Sequence, residues 1–253
     1  YFGKVQAGLP LTSIEDVFLS VDAGKCDYGI VPVENSSEGS VNATLDCFKK
    51  NALIICGEIS LRIKHVLLGN SESNTKNVKK IFSHQQSLGQ CRLWLDKNFP
   101  GVERVPVSSN AEAAFIVSQE VGVAAIASKS AADIYQLSIL SQDIADTADN
   151  TTRFLVISKK KQAQPSKNSA DDKTSLIVTT YNVPGALSSV LEPLKRFSVN
   201  MSKLESRPSG KEAWSYSFYI DINGHQKDAN VAAAITALQQ LEIEVKILGS
   251  YPA

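Results

Sequence analysis

The 253 residues suffice for one large or two ordinary domains, and 43% apolar residues is the share of a chain that buries a core. The 26 basic and 26 acidic residues cancel, so no overall field draws the chain to nucleic acid or to anionic lipid, and any anion it binds is captured locally. No apolar run approaches the roughly 20 residues of a membrane span, and no basic segment followed by an apolar one opens the chain, which predicts a soluble cytoplasmic protein with no membrane partner.

In chain order, segments of helical period alternate with short apolar runs over the first part, the pattern of an α/β fold with mostly parallel strands. Thr12 and Ser13, with Glu15 and Asp16, start a helix that lines up Ile14, Val17, Phe18 and Val21 and stops near Gly24. A buried strand, Tyr28–Val33, follows. Past a turn over Glu34–Gly39, Val41, Leu45 and Phe48 form the stripe of a second helix, and Leu53–Ile59 is a further strand. From Leu61 the pattern restarts as a second lobe. It runs through an apolar stretch to Leu68, a helix near Asn74, strand Lys80–Ser83 and a helix carrying Leu88, Cys91 and Leu95. Strand Glu103–Val107, helix Ala111–Gln119, strand Val123–Ile126 and helix Lys129–Tyr135 complete it. Asp143–Asn150 then leads into strand Phe154–Ile157, whose return to the first lobe would close a cleft of the kind that holds small ligands.

The stretch Lys159–Asp172 is polar, contains Pro165 and has almost nothing apolar, which marks a linker; its lysines lack the interleaved aromatics of a nucleic-acid site. Beyond it, strand Ser175–Thr180, helix Ala186–Phe197, strands Met201–Arg207 and Trp214–Ile222, helix Asp228–Leu241 and strand Ile243–Leu248 follow the ferredoxin-like order βαββαβ. The predicted organisation is residues 1–158 with a second lobe at about 61–140, a linker at 159–173 and a C-terminal domain at 174–253.

Cys26, Cys47, Cys56 and Cys91 show neither CxxC spacing nor histidine pairing, so buried free thiols are expected in place of a zinc site or a disulfide framework. His65, in the apolar run Ile63–Leu67, reads as structural, and His225 as a solvated turn residue. Asn35-Ser36 follows a strand and precedes a helix, so backbone N–H groups there could hold a carboxylate at a helix N-terminus; Ser83-His84-Gln85-Gln86 repeats that arrangement in the second lobe. Ordinary N-caps have the same appearance. Ser83 and His84, adjacent on a strand, point to opposite faces and do not make a nucleophile–base pair, which argues against a hydrolase.

Four runs occur in a telling order: Tyr28 to Gly39 (YGIVPVENSSEG), Ser83 to Cys91 (SHQQSLGQC), Asn150 to Phe154 (NTTRF) and Leu204 to Pro208 (LESRP). Together they make the chain resemble, over nearly its whole length, prephenate dehydratases that carry a C-terminal ACT domain. The resemblance implies a two-lobed catalytic domain like the type 2 periplasmic binding proteins, followed by a ferredoxin-like ACT regulatory domain. It implies conversion of prephenate to phenylpyruvate with loss of water and carbon dioxide, without metal or organic cofactor, under feedback by L-phenylalanine. A homodimer or homotetramer is expected.

In the implied site Thr152 donates to the departing hydroxyl and Arg153 binds a substrate carboxylate with two parallel hydrogen bonds. Asn35, Ser36, Ser83, Gln86, Ser109, Asn150 and Phe154 are expected around the substrate. Gly185, Ala186 and Leu187, with Glu205, Ser206 and Arg207 from a neighbouring subunit, are expected to enclose phenylalanine, Gly185 allowing close approach to the backbone. The sequence departs from the family pattern in three places. Gln85 replaces a usual proline, and Asn110 stands where threonine is common. The family's opening strand and Gly-Pro-x-Gly-Thr-aromatic-Ser turn are absent, and the chain starts at Tyr1 without methionine, so either the sequence is a fragment or its site is incomplete. Two alternatives stay open: arogenate as the substrate, and a non-catalytic amino-acid sensor that uses the same cleft and ACT module.

Overall fold

The computed structural model describes residues 8–147, 149–159, 172–210, 215–241 and 243–253. They form two compact units, one running to Leu61 and resuming at Thr152–Ala253, the other Arg62–Thr151. The first begins with α1 (Ile14–Asp22), β1 (Tyr28–Asn35), β2 (Gly39–Ser40), α2 (Asn42–Lys50) and β3 (Ile54–Arg62). The second holds β4 (Val66–Gly69), β5 (Lys80–His84), α3 (Gln85–Gln90), α4 (Arg92–Asn98), β6 (Glu103–Val107), α5 (Asn110–Gln119), β7 (Val123–Ala127), α6 (Lys129–Tyr135) and β8 (Ser138–Ser141). The first unit resumes with β9 (Thr151–Ser158), β10 (Asp172–Thr180), α7 (Ala186–Arg196), β11 (Met201–Pro208), β12 (Tyr216–Asn223), α8 (Ala229–Gln239) and β13 (Glu244–Pro252). Among the described residues no helix is long and apolar enough to cross a membrane.

In the first unit a sheet of order β2-β1-β9-β3 has β1 antiparallel to both its neighbours. The expectation of mostly parallel strands therefore fails here, because β2 follows β1 through a hairpin and β9 pairs with β1 in the opposite direction. Ser13 caps α1 by accepting the Asp16 N–H, as its position before Ile14 predicts. Tyr28 and Ile30 are exposed, so β1 is buried on one face only.

The C-terminal sheet has order β11-β12-β10-β13, antiparallel throughout, which is the ferredoxin-like arrangement. Leu176, Val178, Phe218 and Ile220 pack on one face against Val190 of α7 and Val231 of α8. The other face is not free. Ile177, Tyr219, Leu248 and Tyr251 share a core with Phe18, Phe48, Ile55 and Leu155, so this domain is built onto the first lobe. Lys246 fixes the seam by donating to the Phe48 and Asn51 carbonyls at the end of α2, where the helix dipole favours a cation.

A bulge in β13 shifts its register on β10 between Ser175 and Leu176, next to Gly249 at φ 151°. A Cβ on Gly249 would lie 2.2 Å from the Ile55 carbonyl oxygen, so only glycine lets the two backbones meet there. Gly249→Ala is expected to destabilise the protein by about 3 kcal/mol, since the clash is with backbone and the dihedral is strained besides. An unchanged urea midpoint would show that the seam is looser than its geometry.

In the second unit the order is β6-β5-β7-β4-β8, with β5 parallel to β6 and β7 but β4 antiparallel to β7 and β8. No helix forms near Asn74, where Asn70, Asn74 and Asn77 bond neighbouring backbone in turns. The single helix expected over Leu88–Leu95 is two, broken at Cys91, and strand β8 was not foreseen. Cys91 is buried, its thiol pushed up to about 12 by burial and by Asp146; the other three cysteines are only partly buried. His65 is buried and bonded, as expected. His225 is not solvated: it is buried, and its Nδ1 accepts the Lys227 N–H at 3.1 Å to close the β12–α8 turn. The expected linker lies outside the described residues except for Lys159 and for Asp172 and Lys173, which already belong to β10; Trp214 is outside them too.

Candidate active site

Within the first unit, β1 and β9 bring Asn35 opposite Thr152 and Glu34 opposite Arg153. Pro32 pairs with Phe154 and Glu34 with Arg153, so Val33 is an extra residue in β1. Side chains alternate along a strand, and the bulge therefore moves Asn35 from the core face shared by Val31 and Val33 to the face of Thr152. Asn35 Nδ2 donates to Thr152 Oγ1 at 2.9 Å, while Asn35 Oδ1 accepts the Ser37 N–H at 2.9 Å and locks the amide in place. Because the Thr152 oxygen accepts from Asn35, its own proton is directed elsewhere. That is the polarity a donor to a leaving hydroxyl needs.

The helix-terminus reading of Asn35-Ser36 does not hold. A hairpin to β2 separates them from α2, whose N-cap is Val41 with no side-chain bond. Ser36 is exposed in the turn.

Arg153 points to the opposite face and is enclosed by acids. Its Nε meets Glu58 Oε2 at 2.7 Å, its Nη1 meets Asp221 Oδ2 at 2.7 Å and Glu34 Oε2 at 3.6 Å, and Nη2 donates to the Tyr251 hydroxyl at 3.1 Å. Lys173 reaches Glu58 at 2.7 Å and Lys203 reaches Glu34 at 3.0 Å, so three carboxylates stand against three cations. Burial disfavours the Arg153 charge, but Asp221, Tyr251 and Glu58 outweigh it and the net shift is upward. Burial and Asp221 raise the Tyr251 hydroxyl, which stays protonated within 2.7 Å of Ser175. The expected bidentate bond from Arg153 to a substrate carboxylate is thus replaced by bonds to Glu58 and Asp221. Asp221 and Tyr251 were not foreseen as partners, since only the fold brings β12 and β13 to β9.

Within the second unit Ser83 is fully buried at the end of β5. Its hydroxyl lies 2.8 Å from both Asn110 Oδ1 and the Ile126 carbonyl. Asn110 Oδ1 also accepts the His84 N–H at 3.0 Å, and Asn110 Nδ2 donates to Ser87 Oγ at 2.9 Å, so this residue pins the β5–α3 junction. The carboxylate cradle expected there is filled from within, because His84 Nδ1 accepts the Gln86 N–H and Asn110 takes that of His84. The Gln86 side chain is exposed, and Ser109 caps α5 by accepting the Glu112 N–H.

Asn150 is buried and donates to Gln90 Oε1 at 3.0 Å; the same oxygen lies 2.8 Å from His65 Nε2, which therefore carries its proton there. Gln90 joins these residues and was overlooked in the sequence, where it ends the SHQQSLGQC run without a distinguishing spacing. Phe154 pairs with Pro32 two positions from Thr152 in β9.

In the C-terminal domain Gly185 is the left-handed N-cap of α7 at φ 83°, with open space where a Cβ would stand, and Ala186 and Leu187 are partly buried behind it. On β11, Glu205 accepts from Ser40 Oγ at 2.7 Å and Arg207 donates to Asp46 at 2.9 Å, both facing the first lobe, while Ser206 between them is exposed.

The family model for prephenate dehydratase matches residues 1–162, and that for the ACT domain matches residues 174–240. A bifunctional chorismate mutase/prephenate dehydratase of Pseudomonas aeruginosa is 46% identical over 252 residues, covering 100% of this chain and 68% of its own length. A prephenate dehydratase of Arthrobacter aurescens, solved in complex with L-Phe, superposes with a TM-score of 0.88 at 36% identity, over 97% of this chain and 81% of that one. GqqA, described as a novel type of quorum quenching acylase, is also similar, with a TM-score of 0.86 at 29% identity over 97% of this chain and 89% of that one. The chain belongs to the prephenate dehydratase family and carries an ACT domain at its C-terminal end.

Proposed function

We propose that the protein converts prephenate to phenylpyruvate under feedback inhibition by L-phenylalanine. The observation that carries this reading is the Asn35–Thr152 hydrogen bond, which leaves the Thr152 proton directed away from Asn35. In the reaction the ring carboxylate leaves as carbon dioxide, its bonding electrons complete the aromatic ring, and the ring hydroxyl departs with a proton as water. Thr152 assists that departure by hydrogen bonding to the oxygen. Asn35 orients Thr152, Phe154 follows two positions along β9, and Asn150 and Ser83, bonded to Gln90 and Asn110, are proposed substrate residues. Ser36, Gln86 and Ser109 belong to the same proposed substrate set, the first two through exposed side chains. Arg153 acts from the opposite face of β9 as a positioning residue.

Phenylpyruvate formation from prephenate and phenylalanine formation from arogenate by the full-length protein, compared as kcat/KM, test the assignment. Prephenate is the expected substrate; a protein that binds but does not turn over either compound is a sensor. A serine-dependent acyl hydrolase is the less favoured activity, because the Ser83 hydroxyl is buried and held.

The effector is proposed to bind at the Gly185–Leu187 loop and the Glu205–Arg207 run in a homodimer or homotetramer, in the cytoplasm. Gly185→Val is expected to abolish inhibition by phenylalanine with basal turnover retained, since a β-branched side chain is strained at φ 83° and fills the open space above the loop. Inhibition retained in that variant would move the effector site elsewhere.

A further inference from the structure

Both partners of the Asn35–Thr152 bond have chain neighbours that the regulatory domain grips from the other side of the sheet. Thr152 is followed by Arg153, held by Asp221 of β12, and Asn35 is preceded by Glu34, held by Lys203 of β11. Glu34 and Arg153 face one another in the register, as Asn35 and Thr152 do one step further on. A displacement of the first pair in the sheet plane is therefore a displacement of the second.

The strand that supplies Lys203 continues through the proposed effector run. Lys203, Glu205 and Arg207 alternate along β11 toward the first lobe and engage Glu34, Ser40 and Asp46 in turn. The seam is tightly filled. A cavity of about 20 Å³ lined by Lys203, Ser175, Tyr219 and Asp221 has room for about one water, so the Arg153–Asp221 pair is shielded from solvent while Glu34 is partly exposed, and a shift of β12 is felt most at Arg153.

We propose that Asp221 and Lys203 are coupling residues: through Arg153 and Glu34 they carry the state of the ACT domain to the Asn35–Thr152 hydrogen bond. This rests on the reading of Thr152 as the proton donor and of the Gly185 loop as the effector site. Neither Asp221 nor Lys203 belongs to those two sites. A ligand that binds at one site shifts the other only by its differential contacts with two arrangements, and these ion pairs supply contacts that differ when β11 moves.

The test uses the full-length protein with Asp221→Asn and, separately, Lys203→Met. Three quantities are measured: L-phenylalanine binding by calorimetry, turnover with and without saturating L-phenylalanine, and hydrogen exchange of the segment Asn150–Leu155 with and without it. Each variant is expected to bind phenylalanine and to turn over substrate within about threefold of the parent, while the ratio of uninhibited to inhibited turnover falls by about fivefold or more. The ligand-induced change in exchange at Asn150–Leu155, present in the parent, is lost.

Parent-like inhibition and exchange response in both variants overturns the proposal, as does loss of phenylalanine binding, which would make these residues part of the effector site. If Asp221→Asn does not fold, Lys203→Met decides. A parent that shows no turnover but keeps the exchange response refutes the reaction and not the coupling. A parent that binds no phenylalanine refutes the regulatory reading and the coupling together.

Discussion

Thr152→Ala is expected to lower kcat by about 10²-fold or more while KM changes little. The hydroxyl contributes chiefly where charge develops on the departing oxygen, so its removal acts on the transition state and not on substrate binding. Loss of the hydroxyl and the γ-methyl leaves β9 in place, because the strand is held by its backbone pairing to β1 and by Leu155 and Ile157 in the core. Thr152→Ser, which keeps the donor, is expected to retain most of the rate. Asn35→Ala is the companion test, since it frees the Thr152 rotor that Asn35 Nδ2 fixes. Full kcat in Thr152→Ala would remove this residue from the chemistry, whatever the other variants do.

Arg153→Ala acts on stability. The substitution takes from the largely buried Asp221 its cation, leaves Glu58 with Lys173 alone, and removes a bond to the Tyr251 hydroxyl. Breaking a buried pair from one side costs about 3–5 kcal/mol, so the folded protein should lose that much in urea-induced unfolding. Arg153→Lys is not expected to rescue it, because one ammonium does not reach Glu58, Asp221 and Tyr251 in the directions that a planar fork does. A variant as stable as the parent at neutral pH would contradict the ion cluster.

Much of the architecture was legible because periodicity is a local property. The stripe Ile14, Val17, Phe18, Val21 and the edges of β6 and α6 depend only on neighbouring residues, and the ferredoxin-like order follows from element sequence alone. What escaped depends on partners distant in the chain. Nothing near Arg153 announces that Asp221 and Tyr251 will meet it, so a guanidinium beside Thr152 was read as a substrate contact. His225 was misread for the same reason: a polar turn sequence does not reveal that the turn is buried. The Asn35 turn was taken for a helix start because a two-residue strand, β2, carries no periodicity of its own. The family resemblance pointed to Thr152 and Asn35; the register supplied the bond between them.

The unpaired residue Val33 makes the register of β1 on β9 a functional variable in its own right. Side chains of β1 alternate between a face that meets the regulatory domain and a face that meets Thr152, and the bulge decides which of Glu34 and Asn35 goes where. Replacing Val33 by another apolar residue leaves that parity intact. Regular pairing of Val33 opposite Arg153 would exchange the carboxylate and the amide between the two faces, whereas removing Val33 would straighten β1 and leave Glu34 opposite Arg153 and Asn35 opposite Thr152, so it is the unpaired state of this residue that sets the site.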